Sequence, residues 1–133
     1  MYHCESCGRE YDADGPWRCA CGHALDYAER SLPEASEPPD PSAFDRDRGL
    51  WSFDEFLPVE RRVSLGEGWT PLVDAPAVGA QIKLDSVFPT GSFKDRGATV
   101  TLSQAAALGV ERVVEDSSGN AGLAVATYAA RAG

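Results

Sequence analysis

All four cysteines of this chain fall within its opening stretch, as Cys4-x2-Cys7, a gap of eleven residues, and then Cys19-x-Cys21. Thiols spaced this closely either cross-link or share a metal ion, and each outcome dictates the path of the chain around them. Gly8 and Gly22 follow the two pairs, where a residue with positive φ lets the backbone turn and aim amides at sulfur. Two such knuckles place Cys4, Cys7, Cys19 and Cys21 as four thiolates at tetrahedral geometry, which suits Zn(II) in a closed, structural site. Two disulfides, in any of three connectivities, are the other reading, with iron and unmetallated thiols behind it. The start, Met1-Tyr2-His3-Cys4-Glu5, has neither the basic region nor the apolar run of a signal peptide. The expectation is therefore a cytoplasmic, reducing setting, which disfavours disulfides. His3 and His23 are surplus to a four-cysteine site and are expected on the surface. A ribbon of residues 1–30 buries little apolar area, so a metal would supply most of its folding free energy.

The whole sequence has 133 residues, with 12 Lys and Arg against 21 Asp and Glu and a net charge of −9. That balance excludes a nucleic-acid surface, which depends on cations meeting phosphates, and an anionic membrane surface with it. No apolar run approaches the roughly 18 residues of a membrane span. Ten of the cations are Arg and only two, Lys83 and Lys94, are Lys. Salt adaptation and a GC-rich genome would both produce that bias. Between residues 31 and 50, Pro33, Pro38, Pro39 and Pro41 stand among Glu, Asp and Ser, the composition of a stiff, solvated linker. The run Trp51 to Leu57 is expected to make a short amphipathic turn that Pro58 ends.

Three later segments carry chemistry. Leu65-Gly66-Glu67-Gly68-Trp69-Thr70-Pro71-Leu72 reads as a tight loop leading into an extended stretch. Gln81 to Asp85 alternates like a strand and is broken by Pro89-Thr90-Gly91. Ser92-Phe93-Lys94-Asp95 then has the form of a capping box, and Ala98, Leu102, Ala105 and Leu108 recur at helical spacing up to Gly109. Lys94 thus falls in the first turn, where a helix selected only for stability would carry an acid. In the third segment Val110, Val113 and Val114 predict a short strand ending at Asp116. Ser117-Ser118-Gly119-Asn120-Ala121-Gly122 and an Ala-rich helix follow, a β–loop–α arrangement that offers amides and hydroxyls to an anion.

In this order, L-G-E-G-W-T-P-L, P-T-G-S-F-K-D-R-G and D-S-S-G-N-A-G resemble the pyridoxal-phosphate enzymes of fold type II, the tryptophan synthase β-like family, and within them the threonine synthase-like group. Some chains of that group also carry a four-cysteine ribbon. The resemblance covers nearly the whole sequence, and G-S-F-K-D-R-G is its most specific part. It implies an α/β protein: an N-terminal zinc ribbon (1–30), a Pro- and acid-rich linker (31–50), and part of a three-layer α/β fold type II domain (51–133). It implies pyridoxal 5′-phosphate carried on Lys94, whose amine also serves as general base, with Asn120 bonding the cofactor's 3′-hydroxyl. Ser117, Ser118, Gly119 and Ala121 would hold the carboxylate of a small amino-acid substrate, and Phe93, Asp95 and Arg96 would shape the loop and helix start.

Two positions depart from the group's pattern. Ala121 replaces a Thr whose hydroxyl helps bind the phosphate of O-phosphohomoserine, and Phe88 replaces an Asn. A serine or threonine dehydratase-like lyase is therefore the alternative reaction. Family members are more than twice as long, so the expectation is an N-terminal portion, lacking the glycine-rich loop for the cofactor phosphate, of an enzyme with room for homo-oligomers. A zinc-ribbon interaction module on a degenerate remnant, or an inactive truncated chain, is the reading from another class.

Overall fold

A computed structural model of the chain describes residues 1–28 and 37–133. They group into two units, Met1–Pro39 with Glu55–Pro58, and Asp40–Asp54 with Val59–Gly133. Residues 31–36 of the expected linker lie outside the described residues.

In the first unit the chain reverses at the cysteine pairs. Gly8 and Gly22 take φ of 71° and 88°, and their N–H groups donate to the carbonyls of Cys4 and Cys19 at 2.8 Å. These turns bring three two-residue strands together as an antiparallel sheet ordered β2-β1-β3: β1 Tyr2–His3, β2 Glu10–Tyr11 and β3 Asp26–Tyr27. Tyr2 and Tyr27 meet edge to face at 5.1 Å. His3 departs from its expected surface position. Its side chain is only 25 % exposed, because its place in the central strand β1 turns Nδ1 inward while Nε2 meets Glu5. His23 is exposed as expected.

The second unit is built on two helices and a hairpin. Helix α1, Lys94–Ala107, and helix α2, Asn120–Ala132, pack together around Val63, Ala98, Leu102, Ala124 and Tyr128. Gly109, with φ of 69°, ends α1 as the sequence predicts. Ala98 and Leu102 are buried, whereas Leu108 is 41 % exposed because the helix has already ended at that point. A second stripe of α1, at i, i+4 and i+8, is fully buried and polar: Asp95, Thr99 and Ser103. Thr99 and Ser103 stitch the incoming chain to the helix. Ser103 Oγ accepts from the N–H groups of Arg62 and Val63 at 3.1 and 3.0 Å, and Thr99 Oγ1 donates to the Val63 carbonyl at 2.6 Å.

The strand expected near residues 81–85 forms as β5, Ala80–Lys83, paired antiparallel with β4, Leu72–Ala75. Its alternation does not mark a buried face, since all four residues of β5 are exposed. The strand expected over Val110 to Asp116 does not form. Among the described residues no strand lies beside this stretch to complete a ladder, and Val114 is 90 % exposed. The Trp51 to Leu57 turn is part of a 3-10 segment, Arg46–Phe56, that stops before Pro58 and is broken at Gly49 by φ of 60°. No helix among the described residues is long and apolar enough to cross a membrane.

The 3-10 segment and the loop after Val63 touch backbone to backbone, with Leu50 N–H donating to the Glu67 carbonyl at 2.6 Å. A Cβ on Gly68, whose φ is 124°, would stand 2.4 Å from the Leu50 nitrogen. Gly97, inside α1, has open space at its Cβ position. Denaturant titration should therefore separate two nominally identical changes. Gly68→Ala is expected to destabilise by more than about 2 kcal/mol, and Gly97→Ala to stabilise by about 0.5–1 kcal/mol.

Candidate cofactor site and metal centre

The loop Pro89-Thr90-Gly91 turns at Gly91, whose φ is 79° and whose N–H donates to the Phe88 carbonyl at 2.8 Å. The expected capping box does not close. Phe93 occupies the cap position, Ser92 Oγ accepts only a long 3.4 Å bond from Lys94 N–H, and Asp95 turns away from Ser92. Asp95 instead accepts from the Thr90 N–H at 2.9 Å and from the Thr90 hydroxyl, which ties the loop to the first turn of α1 from inside.

Lys94 is the first residue of α1 and is exposed, its amine 4.9 Å above the Phe93 ring and in no ion pair among the described residues. Lys83, the other lysine, donates to the Thr70 carbonyl at 2.9 Å. Arg96 holds Asp85 through two bonds of 2.9 and 3.0 Å and lies 4.5 Å over the buried ring of Phe88. Phe88 thus belongs to the packing of the helix start. The Arg96 guanidinium, with the Thr70 hydroxyl at 2.8 Å, lowers the Asp85 carboxyl to about 2.

Glu67 and Tyr128 are the residues that sequence reasoning missed. Glu67 is 1 % exposed and has no cation against it among the described residues. Its carboxylate accepts from Trp51 Nε1 at 3.0 Å, Ser64 Oγ at 3.2 Å, Leu65 N–H at 2.8 Å and Tyr128 Oη at 2.8 Å. Tyr128 Oη also lies 3.4 Å from Asp95 Oδ2. Burial, followed by the Glu67 and Asp95 carboxylates, pushes the Tyr128 hydroxyl well above the usual phenol range, so it stays a donor. One phenol therefore joins the three motif segments. The spacing of Asp95, Thr99 and Ser103 was visible in the sequence; nothing there singles out Tyr128.

Asn120 is the first residue of α2, and Ser117, Ser118 and Gly119 form the loop entering it. Ser117 Oγ accepts from Gly119 N–H at 3.2 Å, and the Ser117 carbonyl lies where a Cβ on Gly122 would be, 2.8 Å away. The absence of a side chain at Gly122 lets this loop fold onto the helix start. The N–H groups of the first turn, Ala121 among them, have no intrahelical acceptor. Among the described residues no hydrogen bond joins Lys94 to Asn120; each stands at the start of a helix, and the two helices share one core. These groups fit a phosphorylated aldehyde cofactor: an amine with no hydrogen bond or ion pair among the described residues, an exposed amide side chain, and a helix start whose first-turn N–H groups lack intrahelical acceptors.

In the first unit Cys4, Cys7, Cys19 and Cys21 bring their sulfurs within 4.8 Å of one another, and none is in a disulfide. Four ligands about 2.3 Å from one tetrahedral ion would stand about 3.8 Å apart, so the cluster can hold a thiophilic metal. Tyr11 supports it, accepting from Ala20 N–H at 3.0 Å and lying 3.3 Å from Cys19 Sγ. Hydrogen bonds from the Tyr11 hydroxyl and the Cys21 backbone lower the Cys19 thiol to about 6.

A family model described as pyridoxal-phosphate dependent enzyme matches residues 63–133, more than half of the sequence, and the chain belongs to that family. Among its relatives, a threonine synthase of Methanocaldococcus jannaschii is 36% identical over 148 aligned positions, covering 100% of this chain and 36% of the relative. One from Methanosarcina acetivorans is 37% identical, covering 100% and 35%. One from Synechocystis is 42% identical, covering 77% and 30%. The chain thus spans about a third of the length of these relatives. No solved structure gives a significant match.

Acid unfolding tests the Asp85–Arg96 pair. The folded carboxyl at about 2 lies below the roughly 3.9 of an unfolded aspartate, so the unfolded chain binds the extra proton. Stability from the pair is complete above about pH 4 and is lost as pH falls towards 2. The stability difference between wild type and Asp85→Asn should shrink across that window; a constant difference would show that the pair is not linked to folding.

Proposed function

We propose that this chain is part of a pyridoxal-phosphate-dependent lyase of amino-acid metabolism, threonine synthase-like, converting O-phosphohomoserine to threonine and phosphate. The observation that carries the reading is Lys94: an amine unpaired among the described residues, at the start of α1, on a turn anchored from inside by Asp95. When bound, pyridoxal phosphate supplies the electron sink for a carbanion at the substrate α-carbon. Lys94 is the residue that carries it and that takes and returns the proton at that carbon. Asn120 bonds the ring hydroxyl and keeps the ring oriented. Ser117, Ser118, Gly119 and Ala121 bind the substrate carboxylate through the serine hydroxyls and the N–H groups at the start of α2. The fold in which they act is the three-layer type II fold, in the cytoplasm. Ala121 favours a second reaction, the dehydratase-like elimination from serine or threonine, because a methyl group cannot bond a substrate phosphate.

The lysine content makes a direct test. The chain has two lysines, and Lys83 is engaged with the Thr70 carbonyl. Addition of pyridoxal phosphate should raise an absorbance band at about 410–430 nm that Lys94→Ala abolishes. Borohydride reduction followed by peptide mass analysis should then find the adduct predominantly on Lys94. An adduct confined to Lys83, or shared equally, overturns the assignment.

For the ribbon we propose a structural Zn(II) held by Cys4, Cys7, Cys19 and Cys21. Four thiolates leave no open position for substrate, so its role is folding rather than chemistry. Elemental analysis should find one zinc per chain, lost with Cys4→Ser, and chelation should remove the ribbon's structure. A native protein with four titratable free thiols and no metal overturns it.

A further inference from the structure

The scarce cations of this acidic chain are unevenly placed. Four of its ten arginines, Arg48, Arg61, Arg62 and Arg131, line one open cleft of about 380 Å³ in the second unit. Asp47 lines the same cleft, and Arg48 is ion-paired to Asp54. Arg61, Arg62 and Arg131 have no acid partner among the described residues and are exposed. Like charges brought together cost free energy unless an anion offsets them. The walls that hold them are fixed. Arg62 and Val63 are bonded through their backbones to Ser103 on α1, and Arg131 sits in the last turn of α2, which shares the core of α1. The cluster is therefore presented by the packed core and not by a free loop.

We propose that this cleft is a binding site for a phosphate-type polyanion, separate from the residues assigned to the cofactor and its substrate. Guanidinium groups offer planar forks that take phosphate oxygens two at a time, and several forks at one cleft suit a group with several oxygens, such as a diphosphate. The cleft's volume lies in the range of small-molecule sites. In a chain of net charge −9 a local excess of arginine also steers an anion to this one place.

Titration calorimetry of inorganic pyrophosphate against the whole 133-residue chain at low ionic strength tests this. Saturable binding of one pyrophosphate is expected, weakened at least about tenfold in Arg61→Ala/Arg131→Ala. Both side chains are exposed, so the double variant should keep the wild-type circular dichroism. Arg61→Lys/Arg131→Lys keeps the charge but loses the forks, and is also expected to bind more weakly. Lys94→Ala should bind as wild type does, which separates this site from the cofactor reading. No saturable binding, equal binding by wild type and the alanine variant, undiminished binding by the lysine variant, or a loss confined to Lys94→Ala would each overturn the proposal.

Discussion

A buried carboxylate without a cation has to be met by hydrogen bonds, and among the described residues Glu67 is such a group. Its four donors come from three parts of the second unit: Trp51 in the 3-10 segment, Ser64 and Leu65 in its own loop, and Tyr128 in α2. An unmatched charge at this depth would cost several kcal/mol, so the donors must arrive together or the loop cannot close. That requirement explains the neighbouring glycines. The Glu67 carbonyl receives Leu50 N–H at 2.6 Å, an approach that side chains at Gly49 or Gly68 would block.

The same network reaches the first turn of α1. Asp95 shares the Tyr128 hydroxyl with Glu67 and holds both polar hydrogens of Thr90. A residue directly after Lys94 is thereby locked inward while Lys94 itself faces out. Adjacent helix positions diverge by about 100° around the axis, so burying one carboxylate sets the direction in which the neighbouring amine leaves the helix. The three motif segments thus form one object held at a single phenol, rather than three loops that happen to lie in order.

Much of this organisation was legible before any coordinates. The knuckle glycines, the two helices, the stop at Gly109 and the loop before Asn120 follow from local rules of turn and helix chemistry, which act over a few residues. What stayed hidden depends on long-range partners. The run at Val110 to Asp116 has strand composition, yet composition cannot supply a neighbouring strand. The capping-box pattern at Ser92–Asp95 was present, yet Asp95 found better donors in Thr90 and Tyr128. The apolar stripe of α1 drew attention from Asp95, Thr99 and Ser103, whose burial depends on chain segments some 40 residues away, as the bonds from Ser103 to Arg62 and Val63 show. Polar residues read as surface until their partners are known.

The allotment of cations follows the same logic of partners. Arg96 is bound to Asp85 and stacked on Phe88, Arg46 lies 4.9 Å over the Trp69 ring, and Lys83 is committed to a carbonyl. Each of these holds an element in place and is unavailable for chemistry. Lys94 is different in kind, since among the described residues its amine meets only the exposed ring of Phe93, which leaves the nitrogen accessible. In a chain with so few amines, an amine with no hydrogen bond or ion pair among the described residues stands at the start of a helix whose orientation two buried carboxylates and a phenol define. Structural necessity accounts for the position of nearly every group around Lys94, and it does not account for Lys94.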